Sequence, residues 1–369
     1  MKRETGRGKR HTLAILLGLL FSLFLLEGSL QLLLGVPALE SSRGMYRADK
    51  VLAFRLRPGF LYRRERLNTY GFRGGSWDAP RRPGEKRIAA FGDSFMFGQG
   101  LDRAEQTIPG KLESLLDSQS IPTRVFNFGV PSYSTLQCLL LYKIERKGLL
   151  ARLAPDEILL SFYLGNDAYD NATGNLFVSV IDGNLATYRP SWVRRRLDPL
   201  LGRSAVYSWS RVIFRVLRGR LQRRPDPHTL YAAVERDALA MLVPSNLNRD
   251  PWKRGWSETR KILREWKQLS ELDSRPLRVV MIPDAVQVIP SRRERAAQAS
   301  GYHDGDIQPH LPNRLLADIL EQLDIEYLDP TPLFERAADP EALYIPLDGH
   351  LTERGTRLVA EGICERWYR

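Results

Sequence analysis

RIAAFGDSF, residues 87–95, is an apolar run that turns at once into Gly-Asp-Ser. A half-exposed strand would alternate apolar and polar residues. This run does not, which is the pattern of a strand buried on both faces of a parallel sheet. Four more runs of the same kind follow: RVFNF at 124–128, EILLSFY at 157–163, LRVVMI at 277–282 and IEYL at 325–328. Helical patterns fall between them, at 104–117, 134–148, 257–271, 311–323 and 352–366. The last starts at Thr352, a suitable N-cap, but Gly355 stands where a capping box would need an acid. The alternation predicts an α/β fold, a three-layer α/β/α sandwich with a central parallel sheet in the flavodoxin-like manner.

The ends and gaps of this pattern set the organisation expected of the 369-residue chain. Residues 2–10 carry Lys2, Arg3, Arg7, Lys9 and Arg10 against Glu4, and an apolar run follows from Leu13 to Leu26 and from Leu30 to Gly35. As a helix, 12–35 would measure about 36 Å, enough for a bilayer core of roughly 30 Å. Glu27 interrupts the run, at a cost of about 2.5–3.5 kcal/mol at mid-span and less off centre, which the surrounding Leu, Ile and Phe outweigh. Residues 1–38 are therefore expected to be a basic cytoplasmic tail and a transmembrane helix, with the remainder outside the cytoplasm. A cleaved signal peptide, using the small residues of Val36-Pro37-Ala38, is the alternative and also implies export. Residues 39–85 read as a polar linker, and 86–369 as the main domain with a large insertion at 172–256. Within the insertion, ten arginines and the single acid Asp198 fall between Trp192 and Arg224. Residues 204–220 have helical periodicity, with Arg211, Arg215 and Arg218 on one face, and read as a basic amphipathic helix that either packs on the core with its basic face solvated or lies at a membrane interface.

Composition narrows the function. The net charge of +12 favours acidic partners without specifying a fold. Cys138 and Cys364 form no metal-ligand pattern and read as two buried thiols on helices. No phosphate-binding glycine loop, dinucleotide fingerprint or nucleic-acid motif occurs, so no cofactor, metal or nucleic acid is expected.

The chemistry sits at the strand ends. In open parallel sheets ligands bind beyond the carboxyl ends of the strands, which is where Ser94 falls. Gly92 permits a tight turn, and Gly98 and Gly100 keep the approach open. Gly-Asp-Ser alone would equally describe a helix-capping turn. The second strand, however, ends at Gly129, and the third at Leu164-Gly165-Asn166-Asp167. The N–H groups of Ser94 and Gly129 and the side-chain amide of Asn166 would make an oxyanion hole. A serine nucleophile needs a histidine base held by a carboxylate. Of the five histidines, only His350, in Pro346-Leu347-Asp348-Gly349-His350, follows the last strand just before a helix, and Asp348 is near enough to orient it. Asp93 and Asp167 are expected to bond local backbone rather than to react.

Together Gly92-Asp93-Ser94, Gly129, Gly165-Asn166-Asp167 and Asp348-x-His350 resemble the four blocks of the SGNH (GDSL-like) hydrolase superfamily. The run Asn68–Arg73, together with 129–135 and 282–288, resembles its membrane-anchored bacterial branch. The likeness covers most of 68–170 and 277–366 and little of the insertion. It implies Ser94 as nucleophile, His350 as base, Asp348 as its orienter, and Gly129 and Asn166 as oxyanion donors. Two positions depart from the commoner pattern: Leu347 stands where the acid three residues before the histidine would be, and Leu164 holds a position that is usually glycine. The expected function is a serine esterase or O-acyltransferase acting outside the cytoplasm on acyl esters of glycans or lipids. The alternative is a non-catalytic glycan- or lipid-binding protein on the same scaffold.

Overall fold

The computed structural model describes residues 4–34, 44–174, 179–181, 183–186, 201, 204–210, 213–214 and 235–369. The described chain divides into two compact units, one of 1–44 with 179–224 and one of 45–178 with 225–369.

The larger unit holds the sheet. Five parallel strands, β5 (Lys86–Gly92), β6 (Thr123–Gly129), β7 (Glu157–Tyr163), β10 (Leu277–Ile282) and β11 (Glu326–Leu328), lie in the order β11-β10-β7-β5-β6. The chain goes from β5 outward to β6 and then returns to the other side of β5 for β7, so the order reverses beside β5. Register aligns the strand ends, with Gly92 opposite Gly129 and Ile282 opposite Tyr163. The five strands are those expected from the apolar runs.

The two faces of β5 show why the run does not alternate in polarity. Ile88 and Ala90 pack into a core with Ile108, Leu112 and Leu116 of α3 (Ile108–Ser118) and Val359, Ala360 and Ile363 of α12 (Glu353–Trp367). On the opposite face, Phe91 stacks on Phe128 at 4.7 Å and meets Tyr142 of α4 (Thr135–Glu145) and Trp266 of α7 (Trp252–Leu272) edge-on. Each large side chain so buried contributes about 1.5–3 kcal/mol. The helices start where their side chains satisfy backbone donors: Thr107 accepts from Gly110 N–H, Ser134 and Gln137 form a capping box, and Thr352 accepts from Gly355 N–H. The shorter helices of this unit are α2 (Ser94–Phe97), α5 (Leu149–Leu153), α6 (Asp167–Thr173), α8 (Ala285–Val288), α9 (Pro290–Ser300), α10 (Leu311–Gln322) and α11 (Thr331–Glu335).

The segment expected to be a polar linker is different. Residues 45–85 carry two antiparallel hairpins, β1 (Tyr46–Asp49) with β2 (Ala53–Leu56) and β3 (Leu61–Tyr62) with β4 (Glu65–Arg66). Phe54, Leu56, Leu67, Phe72 and Trp77 are buried, and Trp77 packs on Phe126 and Phe128 of β6. The segment is part of the larger unit because its alternate residues are apolar and reach the core.

The smaller unit contains α1 (Glu4–Leu34) and the hairpin β8 (Ser179–Ile181) with β9 (Asn184–Ala186). His11–Leu34 is 24 residues with a mean hydropathy of 2.2, and its leucines face outward. It is long and apolar enough to span a bilayer. Glu27 is not isolated in it. Its carboxylate accepts from Ser204 Oγ at 2.8 Å, Ala205 N–H at 2.7 Å, Val206 N–H at 3.0 Å and Gln31 Nε2 at 2.7 Å. Residues 205–210 and 213–214 are helical, as expected for the basic helix, with Ile213 and Phe214 exposed. Arg211, Arg215 and Arg218, on which that expectation turned, lie outside the described residues.

Candidate active site

Ser94 is the first residue of α2, immediately after β5. Asp93 caps that helix, its Oδ1 accepting from Phe95 N–H at 2.9 Å. The first N–H groups of a helix have no intrahelical acceptor, and the Ser94 N–H is one of them. His350 arrives from the opposite end of the sequence. Its Nε2 lies 2.8 Å from Ser94 Oγ, and its Nδ1 is hydrogen-bonded to Asp348 Oδ1. A carboxylate only accepts, so Nδ1 carries the proton and the Nε2 lone pair is left for the Ser94 hydroxyl. The His350 backbone N–H also donates to Asp348 Oδ1, at 3.2 Å.

The loop holding these two residues is a tight one. Ile345 N–H donates to His350 C=O at 2.7 Å, and Tyr344 bridges to Leu351. Leu347, where the commoner pattern has its acid, has φ of +56°, a conformation costly for a branched side chain, and is exposed. Asp348, two residues before the histidine, is the carboxylate that meets the imidazole. Burial alone would raise its pKa, but the bond and charge of His350 and the Arg63 guanidinium outweigh it and hold the carboxyl below the usual range. The imidazole packs on Phe95 at 4.9 Å, and Phe95 on Tyr163 at 4.3 Å. The other described histidines lie elsewhere: His11 is in α1, His303 is in an exposed turn and His310 pairs with Glu335 at 3.3 Å.

The expected oxyanion donors fare differently. Asn166 is exposed at the start of α6 and its side chain makes no capping bond. Gly129 lies at the end of β6, but its N–H donates to Asn127 Oδ1 at 2.9 Å, so it is not a free donor here. The need for glycine at this position is steric. A Cβ would stand 2.3 Å from Phe97 N and 2.7 Å from Met96 C, inside the backbone of α2.

Asn127 is a residue that sequence reasoning missed. It is buried, and its Nδ2 donates to Met96 C=O at 3.0 Å while its Oδ1 takes the Gly129 N–H. It thus ties β6 to the nucleophile helix. Arg73 was missed likewise. Fully buried, it donates to Phe97, Gly98 and Leu101 carbonyls, bonds Glu65, and lies over the rings of Tyr62 and Phe97. For Asn127 the one signal was a polar residue inside the apolar run RVFNF, which does not say what it bonds, and Arg73, set among Asn68, Thr69, Gly71, Gly74 and Gly75, had none.

Beneath the serine lies a group of carboxylates. Burial pushes Asp93 up to about 6, against the pull of the Phe95 N–H and the His350 charge. Asp170 is pushed up to about 7 by burial and by Asp93. Burial and then Asp93 also raise Asp167 well above the ordinary carboxylate range while it accepts from Tyr163 N–H and Thr135 Oγ1, a structural use as expected. Asp284 caps α8 and accepts from Tyr163 OH. Cys138 and Cys364 are buried free thiols on α4 and α12. Among the described residues, no three His, Cys, Asp or Glu side chains converge to hold a metal ion.

No family model and no curated protein matches the sequence. Among solved structures, the chain is similar to a lipase/acylhydrolase from Enterococcus faecalis, with 12% identity over 76% of this chain and 94% of that one and a TM-score of 0.37. An acetyl xylan esterase from Geobacillus stearothermophilus shares 12% identity over 76% and 93% of the two chains, with a TM-score of 0.37. An α/β hydrolase, LAE5, from the metagenome of Lake Arreo shares 12% identity over 76% and 94%, with a TM-score of 0.41. With so little identity and such low TM-scores, the chemistry of the site rests on its own geometry.

Proposed function

We propose that the chain is a serine-dependent ester hydrolase or O-acyltransferase. The observation that carries the reading is the continuous array from Ser94 Oγ through the His350 ring to Asp348 at the carboxyl end of β5, where strand order reverses. In the first half-reaction Ser94 Oγ attacks the acyl carbonyl carbon as its proton passes to His350 Nε2. Asp348 holds the ring in place and balances the imidazolium. The oxygen that becomes negative takes hydrogen bonds from the Ser94 N–H and the Asn166 amide. Gly129 N–H joins them only by leaving Asn127. The carbonyl re-forms, the ester C–O bond breaks, and the alcohol leaves with the proton from His350. Water, or a sugar hydroxyl in the transferase case, then attacks the acyl-serine with His350 again as base, and Ser94 is regenerated.

The apolar helix α1 and the basic residues before it support a membrane anchor with the catalytic unit outside the cytoplasm, since positive flanks stay on the cytoplasmic side. Acyl esters of envelope glycans or lipids are then the substrates within reach. A fluorophosphonate probe tests the reading. It should label the full chain once, at Ser94, and Ser94→Ala should lose both the label and ester turnover. Turnover undiminished in Ser94→Ala would refute the assignment.

A further inference from the structure

The β3–β4 hairpin pairs Leu61 with Arg66 and Tyr62 with Glu65, which leaves a two-residue turn of Arg63 and Arg64. Two-residue hairpin turns favour Gly, Asn or Asp, because the central positions need left-handed backbone. Arg63 nonetheless sits at φ +51°.

The turn is fixed in place. Tyr62 OH accepts from Gly100 N–H at 2.9 Å, and the Tyr62 ring packs edge-on against Phe97 of the nucleophile helix at 4.9 Å. Glu65 accepts from Arg73 Nε at 3.3 Å and from Gly74 N–H at 3.2 Å. Both arginines lean on one carboxylate, Arg63 Nη1 at 3.5 Å and Arg64 Nε at 3.2 Å from Asp102. Among the described residues, Asp102 is the one carboxylate that both arginines pair with directly, and their side chains stay 49% and 71% exposed.

The same segment borders the histidine loop. A Cβ on Gly100 would stand 2.4 Å from Ile345 Cδ1, and Ile345 N–H is bonded to the His350 carbonyl. The field of Arg63 is felt at Asp348. The cationic turn therefore stands on the Asp348 side of the site.

We propose that Arg63 and Arg64 receive an anionic group, a carboxylate or a phosphate, carried by the ester substrate. The inference rests on the esterase reading and names the substrate class for it: acyl esters of an acidic glycan or of an anionic lipid. Guanidinium forks suit both anions, which they bind with two parallel N–H···O bonds.

The test compares esters that differ in charge, on the full-length chain in detergent. The substrates are 4-nitrophenyl acetate, acetylated xylo-oligosaccharide, acetylated oligouronate, and mixed micelles of phosphatidylglycerol or phosphatidylcholine. One anionic ester should exceed its neutral counterpart in kcat/KM, and the advantage should shrink with added NaCl. Preference for the oligouronate identifies a glycan carboxylate, and preference for phosphatidylglycerol a lipid phosphate. Arg63→Gln with Arg64→Gln should lower the anionic-to-neutral ratio about tenfold, through KM, as expected when binding energy is lost equally from ground and transition states. Arg63→Gly suits the left-handed backbone and keeps the turn, so a fall of the ratio there cannot come from a collapsed hairpin. An unchanged ratio in both variants overturns the inference and leaves the esterase reading standing. No turnover of any ester, 4-nitrophenyl acetate included, overturns both.

Discussion

At the scale of single residues, Gly129 and Asn127 divide roles that glycine at a strand end usually combines. Were Gly129 present for its N–H alone, Gly129→Ala would keep that donor and most of the activity. The backbone of α2 lies where the methyl group would go, and overpacking of this kind costs about 1–3 kcal/mol. Gly129→Ala should therefore lower Tm as well as turnover, measured by calorimetry beside an ester assay. Asn166→Ala should differ in kind, with Tm unchanged and turnover down by roughly 10²–10³, the value of one oxyanion donor. Asp348→Asn should also fold normally and slow the reaction, because an amide N–H turned toward Nδ1 favours the wrong imidazole tautomer. If Asp348→Asn retains full turnover, the carboxylate has no part in orienting His350. Ser94 and His350 could be read from the sequence because their partners announce themselves: a Gly-Asp-Ser after a buried strand and a histidine before the last helix. Asn127 and Arg73 could not, since what they bond, the carbonyls of Met96, Phe97, Gly98 and Leu101, is adjacent to them only once the sheet has formed.

At the scale of elements, the five sheet strands were legible and the hairpins before them were not, for one reason. A strand covered on both faces writes a continuous apolar run. In β2, Phe54 and Leu56 are buried while Arg55 is only partly so, and β3 and β4 have two residues each, too few for any period. Helix α6 poses a testable question of stability. Asp170, with its pKa at about 7, titrates near 3.9 in the unfolded chain. A folded-state pKa above the unfolded one contributes stability that is complete below about 4 and is lost as pH rises through about 7. Asp93 adds to the loss with the same sign, up to about 6. Asp170→Asn removes its share. The Tm difference between variant and parent should grow in the variant's favour from pH 4 to pH 7.5, and a difference that is flat with pH would show that Asp170 ionises freely in the fold.

At the scale of the whole molecule, the proposed anchor makes a prediction about topology. A reporter active only outside the cytoplasm, fused at the C-terminus, should be active, and the mass of the mature protein should include α1. A mature chain starting near Leu39 would rule out anchoring and leave export intact. The sequence pointed to the span through its length and apolar character. What it could not convey was the use of Glu27, which reads as a defect in the span until Ser204, Ala205 and Val206 are brought to it.

Those partners are made late. Ser204 is 177 residues beyond Glu27, and at about 5–20 residues per second the ribosome needs roughly 9–35 s to reach it. For that interval Gln31 Nε2, one turn away in the same helix, is the one of its described donors that Glu27 has. A chain halted before residue 204 lacks the other three donors for its whole lifetime, whereas one halted after residue 214 contains them. Surveillance proteases that sample the bilayer should therefore distinguish the two. In a pulse-chase the shorter fragment should decay faster, and Glu27→Leu should lengthen its half-life toward that of the longer one. The stability of this one carboxylate thus depends on how much of the chain has been made.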